Sequence, residues 1–326
     1  MKAILCRDWG GPETLRLDET DPPSLKPDQV RIRVRACGVN FADTLLIAGK
    51  YQVRPEFPFI PGLEAAGDVI EVGSGVSRVR PGQRVMAAVL RFGGGYAEEV
   101  AVNAEAVVPI PDRMDFATAA AFPVAYATSH LALTHRGQLK PGETLLVLGA
   151  AGGVGLTAVE IGKQLGARVI AAAGGPEKLA IAREHGADEL IDYRTESIRE
   201  RVRELTGGLG ADVVFDPVGG DAFDQALRAV NWEARMLVIG FAGGRIQSVP
   251  ANLVLVKNIA VIGVVLGAQS LRDPALVSRN LAELLRWWEA GRLNPVVART
   301  FPLAEAGRAM EALLSRRYAG KIVLEV

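Results

Sequence analysis

The chain has 326 residues, 37 basic side chains against 37 acidic ones, and a hydrophobic share of 49%. That length exceeds what one hydrophobic core serves, so two domains are expected, and the apolar share excludes a disordered chain. A formal net charge of zero leaves no electrostatic footprint for a phosphate backbone, which argues against nucleic-acid binding.

The first ten residues read MKAILCRDWG, where Arg7 and Asp8 cut the apolar run short of a signal peptide. The longest apolar runs, 145–159 and 259–268, are broken by glycines or too short to span a bilayer. Cys6 and Cys37 are the only cysteines, too few for a disulfide framework or a four-thiolate metal site. A soluble cytoplasmic protein is expected.

Residues 30–36 (VRIRVRA) alternate between apolar and basic, the period of a half-exposed strand. A helix is predicted over 41–48, where Phe41, Leu45 and Ala48 share a face. Short apolar runs follow at 65–72, 84–89, 97–102 and 106–110, divided by clusters such as GSGVSRVRPGQ at 73–83, which predicts a barrel or sandwich of antiparallel strands. From about Phe116 the chain turns Ala-rich and helical. Strands at 145–148 and 168–172 then alternate with helices at 154–165 and 177–185, and more strands follow at 190–191, 213–215, 237–240 and 259–265. Apolar strands without alternation, separated by helices, predict a parallel sheet covered on both faces. Helices at 274–290 and 303–315 and a strand at 321–326 close the chain.

The strand ending at Leu148 runs into GAAGGVG (149–155) and then a helix. A phosphate-binding turn needs small residues to turn tightly, to let backbone approach the pyrophosphate, and to pack helix on strand. Ala150, Gly152 and Gly155 fill those places, with Gly153 adding freedom, and the helix N-terminus at Val154 offers free N–H groups and a positive dipole. A glycine-rich turn alone is weak evidence, but the strand before, helix after and second strand at 168–172 supply its context and predict dinucleotide binding. An NAD site places a carboxylate about 20 residues beyond the glycines. Here that region is Ala173-Gly174-Gly175, with Lys178 following, which favours NADPH over NADH. The other reading of Lys178 is a solvated first-turn residue, with Glu177 capping the helix.

CGVNFADTL (37–45), PGLEAAG (61–67), AAFPVAYATSHLAL (120–133), GAAGGVG (149–155) and FDPVGG (215–220) together resemble the medium-chain dehydrogenase/reductase superfamily. Within it the chain is similar to the zinc-free, zeta-crystallin-like quinone oxidoreductases, over essentially its whole length. The resemblance implies an α/β protein with a discontinuous GroES-like catalytic domain (1–124 and 267–326), a Rossmann doubly wound dinucleotide-binding domain (125–266), and an active site in the cleft. Zinc-dependent relatives carry Cys at the position of Asn40 and His at that of Leu63, and neither Asn nor Leu replaces those ligands. The stretch 90–103 also lacks their four-cysteine lobe. Cys37 is then a small buried hydrophobe, and His130, His135 and His185 are ordinary helix or loop surface; no metal site is expected.

By the same resemblance, Asn40, Asp43 and Tyr51 line the substrate side, Asn40 to hydrogen-bond a substrate oxygen and Tyr51 to donate a proton unless water does so. The alternative for Asn40 and Asp43 is the cap and first turn of the 41–48 helix. Thr128 faces the nicotinamide, or is a helix-interior Thr bonding its own backbone. Gly174, Lys178 and Tyr193 surround the 2′-phosphate, Arg316 or Arg317 closes over it, and Phe241 and Val265 flank the nicotinamide. Many relatives carry Ser at the position of Gly175. The run 259–267 is an edge strand that joins two chains in a homodimer. The implied activity is NADPH:quinone oxidoreduction, by hydride transfer to a quinone followed by protonation. The alternatives are reduction of an enone or enoyl thioester and, outside enzymes, a zeta-crystallin-like structural or RNA-binding role. The balanced charge speaks against RNA, and the intact glycine turn against a purely structural role.

Overall fold

The computed structural model describes residues 1–90 and 93–326; Arg91 and Phe92, inside the 90–103 stretch, lie outside the described residues. The chain divides into two compact units. The first comprises Met1–Ala127, Leu266–Arg286 and Pro295–Val326, and the second Thr128–Val265 and Trp287–Asn294. Among the described residues no helix is long and apolar enough to cross a membrane.

The N-terminal part runs β1 (Lys2–Leu5), β2 (Arg16–Glu19), β3 (Gln29–Val39), α1 (Phe41–Ile47), β4 (Glu64–Val72), β5 (Arg84–Ala88), β6 (Glu99–Asn103), β7 (Val107–Pro109), α2 (Phe116–Ala120) and α3 (Pro123–His130). Strands and helices then alternate: β8 (Thr144–Leu148), α4 (Gly153–Gln164), β9 (Arg168–Ala173), α5 (Pro176–Glu184), β10 (Glu189–Asp192), α6 (Ile198–Leu205), β11 (Ala211–Asp216), α7 (Gly220–Ala226), β12 (Val230–Val238), α8 (Ala251–Lys257) and β13 (Ala260–Gly263). The chain closes with α9 (Leu266–Arg272), α10 (Pro274–Glu289), β14 (Val297–Pro302), α11 (Ala306–Leu314) and β15 (Lys321–Glu325).

In the first unit, β3 organises the main sheet, whose order is β14-β15-β3-β4-β5-β7 with β6 also on β3. Its eleven residues let it pair β6 along Gln29–Arg33 and β15 along Ala36–Val39, with β4 as a further neighbour. Val30, Ile32 and Val34 are buried while Arg33 and Arg35 are exposed, the alternation predicted from VRIRVRA. The Arg35 guanidinium meets Asp68 on β4 at 2.8 Å. These strands are antiparallel as predicted except β14, which pairs β15 in parallel. The core gathers Ile4, Ile32, Leu46, Val85, Phe301 and Leu324 from both ends of the chain.

In the second unit, six parallel strands stand in the order β10-β9-β8-β11-β12-β13. The order reverses at β8, so right-handed crossovers lay helices on opposite faces, as in a Rossmann sheet. Leu146, Ile170, Val214 and Met236 are accordingly buried without alternation. The strand predicted at 237–240 begins earlier, at Val230, because the exposed Trp232 and Glu233, with Glu233 at φ +59°, interrupt the apolar run that marks its end. Helix α6 escaped the periodicity because Ile198 and Val202 are its only buried residues; Ser197 caps it by accepting from the Glu200 N–H.

Candidate active site

The second unit collects its candidate ligand-binding residues where its strands end. After β8, Gly149 adopts φ +60° and its carbonyl accepts from the Gly152 N–H at 2.9 Å. Gly152 caps α4, which therefore starts at Gly153, one residue before the predicted start. A Cβ on Gly155 would overlap the Gly149 carbonyl oxygen, so only glycine lets α4 pack this closely on the turn. Ala150 is buried, and its N–H donates to Ala172 of β9. Ser129 on α3 braces the first turn of α4, donating to the Val154 carbonyl at 3.0 Å and lying 2.8 Å from the Thr157 hydroxyl. Its neighbour Thr128 is half-buried.

At the end of β9, Gly174 lies under the ring of Tyr193; a Cβ there would stand 3.1 Å from Tyr193 Cε2. Gly175, at φ +98°, caps α5, with Pro176 in the first helical position and Lys178 half-buried in the first turn. The cap is thus Gly175 and not Glu177. A carboxylate does reach this strand end, that of Asp192 at the end of β10, and its Oδ1 accepts from the Gly175 N–H at 3.0 Å. After β11, the buried Asp216 accepts from the Val218 and Gly219 N–H groups at 2.8 Å each, which shapes the FDPVGG turn. Burial lifts its pKa to about 6. Phe241 follows β12 beside Gly219, and the exposed Val265 follows β13. Ala150, Gly152, Gly153, Val154, Gly155, Gly174, Lys178, Tyr193, Phe241 and Val265 therefore share one edge of one sheet. That is where open α/β sheets bind their ligands.

In the first unit, Asn40 and Asp43 do part of what a helix cap does: the Asp43 Oδ2 accepts from the Asn40 N–H at 2.8 Å. The Asn40 side chain, however, turns to Glu64 and Lys321. Its Nδ2 donates to Glu64 Oε1 at 2.8 Å, and its Oδ1 accepts from Lys321 Nζ at 2.6 Å. Lys321 also donates to Glu64 Oε1 at 2.7 Å and to the Val39 carbonyl at 3.1 Å. An ammonium on one side and a carboxylate on the other fix which end of the amide is which. Glu64 Oε2 accepts from the Val124 N–H. The Asn40 Nδ2 also donates to the Gly38 carbonyl at 3.4 Å, so what Asn40 retains toward an incoming molecule is a lone pair on Oδ1.

Asp43 is fully buried, and burial lifts its carboxyl pKa to about 7; Tyr96 donates to it at 3.3 Å. Burial, followed by the charge of Asp43, pushes the Tyr51 phenol above its ordinary range. Cys37 is buried as expected, its thiol donating to the Glu64 carbonyl. Arg316, at φ +54° beyond α11, and Arg317 are exposed and also belong to the first unit.

Two histidines differ from expectation. His185 is buried against Glu160, Nδ1 to Oε1 2.7 Å, and that oxygen also accepts from the Asn294 N–H; His130 is buried with its ring edge toward Trp287. Neither side chain lies on the surface; for His185 the reason is that a carboxylate on the buried face of α4 requires partners of its own.

Residues 26–112 match the alcohol dehydrogenase GroES-like domain, and residues 153–283 match the zinc-binding dehydrogenase domain. A quinone oxidoreductase-like protein 2 homolog of Nematostella vectensis is 41% identical over 325 residues, 99% of this chain and 88% of that protein. The chain belongs to the quinone oxidoreductases of the medium-chain dehydrogenase/reductase superfamily. Among solved structures, the quinone oxidoreductase of Pseudomonas syringae pv. Tomato has a TM-score of 0.94 at 33% identity, covering 100% of this chain and 99% of that one. The quinone oxidoreductase of Thermus thermophilus, solved also in complex with NADPH, has a TM-score of 0.87 at 38% identity, with 100% of each chain covered.

This quinone oxidoreductase therefore carries a GroES-like domain, matched over β3 to β7, and a Rossmann domain in which the zinc-binding dehydrogenase match begins within the glycine turn. Sequence reasoning missed Glu64 and Lys321. Glu64 is an isolated acid at the head of an apolar strand, which signals a buried partner; nothing local points to Lys321, 257 positions away.

Proposed function

We propose that this quinone oxidoreductase uses NADPH and passes hydride to a quinone without a zinc ion. The observation that carries the cofactor reading is the strand end at Ala173-Gly174-Gly175. It brings no carboxylate to a ribose, lies under Tyr193, and is followed by Lys178, while Asp192 is held by the Gly175 N–H. The glycine turn fits a dinucleotide: Gly155 lets α4 pack onto the turn, and Gly152, where a Cβ would meet only the Gly149 oxygen, leaves its outer side open to a pyrophosphate. The Thermus thermophilus relative, solved with NADPH, supports the same reading. Ala150 and Gly152 to Gly155 would hold the pyrophosphate; Gly174, Lys178 and Tyr193 the 2′-phosphate, with Arg316 or Arg317; and Thr128, Phe241 and Val265 the nicotinamide. Bound there, NADPH supplies the hydride. Residues 125–266 carry the other cofactor contacts, and 1–124 with 267–326 serve the substrate apart from Arg316 or Arg317.

On the substrate side, Tyr51 donates the proton, since a phenol is protonated at neutral pH and Tyr51 is the phenol that the resemblance places at the substrate. Asp43 fixes the Asn40 backbone, and Lys321 with Glu64 fix the Asn40 amide. The donor set does not suit Zn²⁺: the Asn40 oxygen already accepts an ammonium, and Leu63 is a buried hydrocarbon. The protein is assigned as a cytoplasmic homodimer joined through 259–267, where β13 is a sheet edge and Val265 is exposed, with Leu255 and Val256 exposed on the preceding α8; sedimentation gives its mass.

Steady-state oxidation of NADPH with a simple para-quinone, with NADH in parallel and before and after chelator treatment, tests the assignment. Turnover with NADPH, little with NADH and no loss on chelation is expected. Turnover with neither coenzyme overturns the quinone reading and directs effort to enones and enoyl thioesters.

A further inference from the structure

We propose that Arg194 is a cofactor-selecting residue that binds the 2′-phosphate, and that Gly175 is glycine to admit it. The proposal rests on the NADPH reading above.

In a Rossmann sheet the adenosine ribose sits beyond the second strand, here β9, and an arginine nearby accommodates a 2′-phosphate. Strand β10 lies beside β9 with Asp192 in register with Ala173, so Tyr193 and Arg194 emerge next to Gly174 and Gly175. The contacts follow that register. The Tyr193 ring covers Gly174, and the Arg194 guanidinium covers Gly175 so closely that a Cβ there would overlap Nη2 and stand 3.1 Å from Nη1. A side chain at 175 would displace the guanidinium, besides being strained at φ +98°.

The guanidinium is held from one side only. Its Nε lies 3.5 Å from Asp192 Oδ1, the oxygen that accepts from the backbone N–H groups of Gly175 and Arg194. Among the described residues no acceptor takes the two Nη groups, and the side chain is exposed. Asp192 therefore aims the guanidinium, whose charge offsets the repulsion a lone carboxylate would exert on a phosphate. The free edge of the guanidinium offers the paired N–H donors that match phosphate oxygens, with Lys178 as a second cation in the first turn of α5. A chain with glycine at 175 loses the hydroxyl that a serine would offer there and gains a guanidinium in its place.

Calorimetric titration of the full chain with 2′,5′-ADP and with 5′-ADP reads this without turnover. The wild type is expected to bind 2′,5′-ADP more tightly. Arg194→Gln is expected to weaken 2′,5′-ADP about tenfold, as for loss of a charge-assisted contact, and to leave 5′-ADP within about twofold. Gly175→Ala should reproduce that selective loss, with no further loss when the two changes are combined. Unchanged 2′,5′-ADP affinity in Arg194→Gln overturns the proposal. So does equal weakening of both nucleotides, which would make Arg194 a brace of the turn. A wild type that binds both equally overturns the NADPH reading, and this proposal with it.

Discussion

The ammonium of Lys321, the first residue of the last strand, stands 2.7 Å from the carboxylate of Glu64, and both side chains are buried. Neither charge has water to solvate it, so each depends on the other and on the Asn40 amide between them. Lys321→Met leaves Glu64 buried and unpaired. It is expected to cost about 3–5 kcal/mol, as breaking buried pairs does. Adding Glu64→Gln should recover part of that loss, because the unpaired charge is gone. Denaturant titration of the two variants measures both; a double variant no better than Lys321→Met would mean the two charges are not coupled.

Asp43 sets a pH dependence of unusual sign. Its carboxyl is raised from 3.8 to about 7 in the fold, so the folded chain holds a proton that the unfolded chain releases. The contribution is complete below about pH 4 and is lost as pH rises through about 7, at most about 4 kcal/mol. Asp43→Asn keeps an oxygen for the Asn40 and Tyr96 donors and does not titrate. Relative to the wild type it should be more stable at pH 8 than at pH 5, by denaturation at both values.

Tyr51→Phe removes a phenol and little volume. With Tyr51 as proton donor, kcat falls about a hundredfold while NADPH affinity holds. An unchanged kcat would assign the proton to water.

The glycine turn separates packing from binding. At Gly155 a Cβ would strike backbone, so Gly155→Ala should lower stability by about 1–3 kcal/mol and weaken NADPH as well. At Gly152 a Cβ meets only the Gly149 oxygen, at 3.3 Å, and φ is −75°, so Gly152→Ala should fold normally yet weaken NADPH. Thermal melts with NADPH fluorescence titrations distinguish the two.

The Rossmann unit was legible because each signal is local. A short apolar strand, a glycine turn and a helix follow one another directly in the chain, and hydrophobic burial with backbone geometry fixes them together. The alternation of β3 was local too, and so was the Asn40–Asp43 cap. Tertiary structure alone decided the rest. The parallel pairing of β14 with β15 joins segments by register, and the charges of Glu64 and Lys321 cost too much buried alone to be left unpaired, yet either could have met another partner. The position of Arg194 over Gly175 depends on β10 lying beside β9 in one register, a choice made by the packing of the whole sheet and written in no single stretch of sequence.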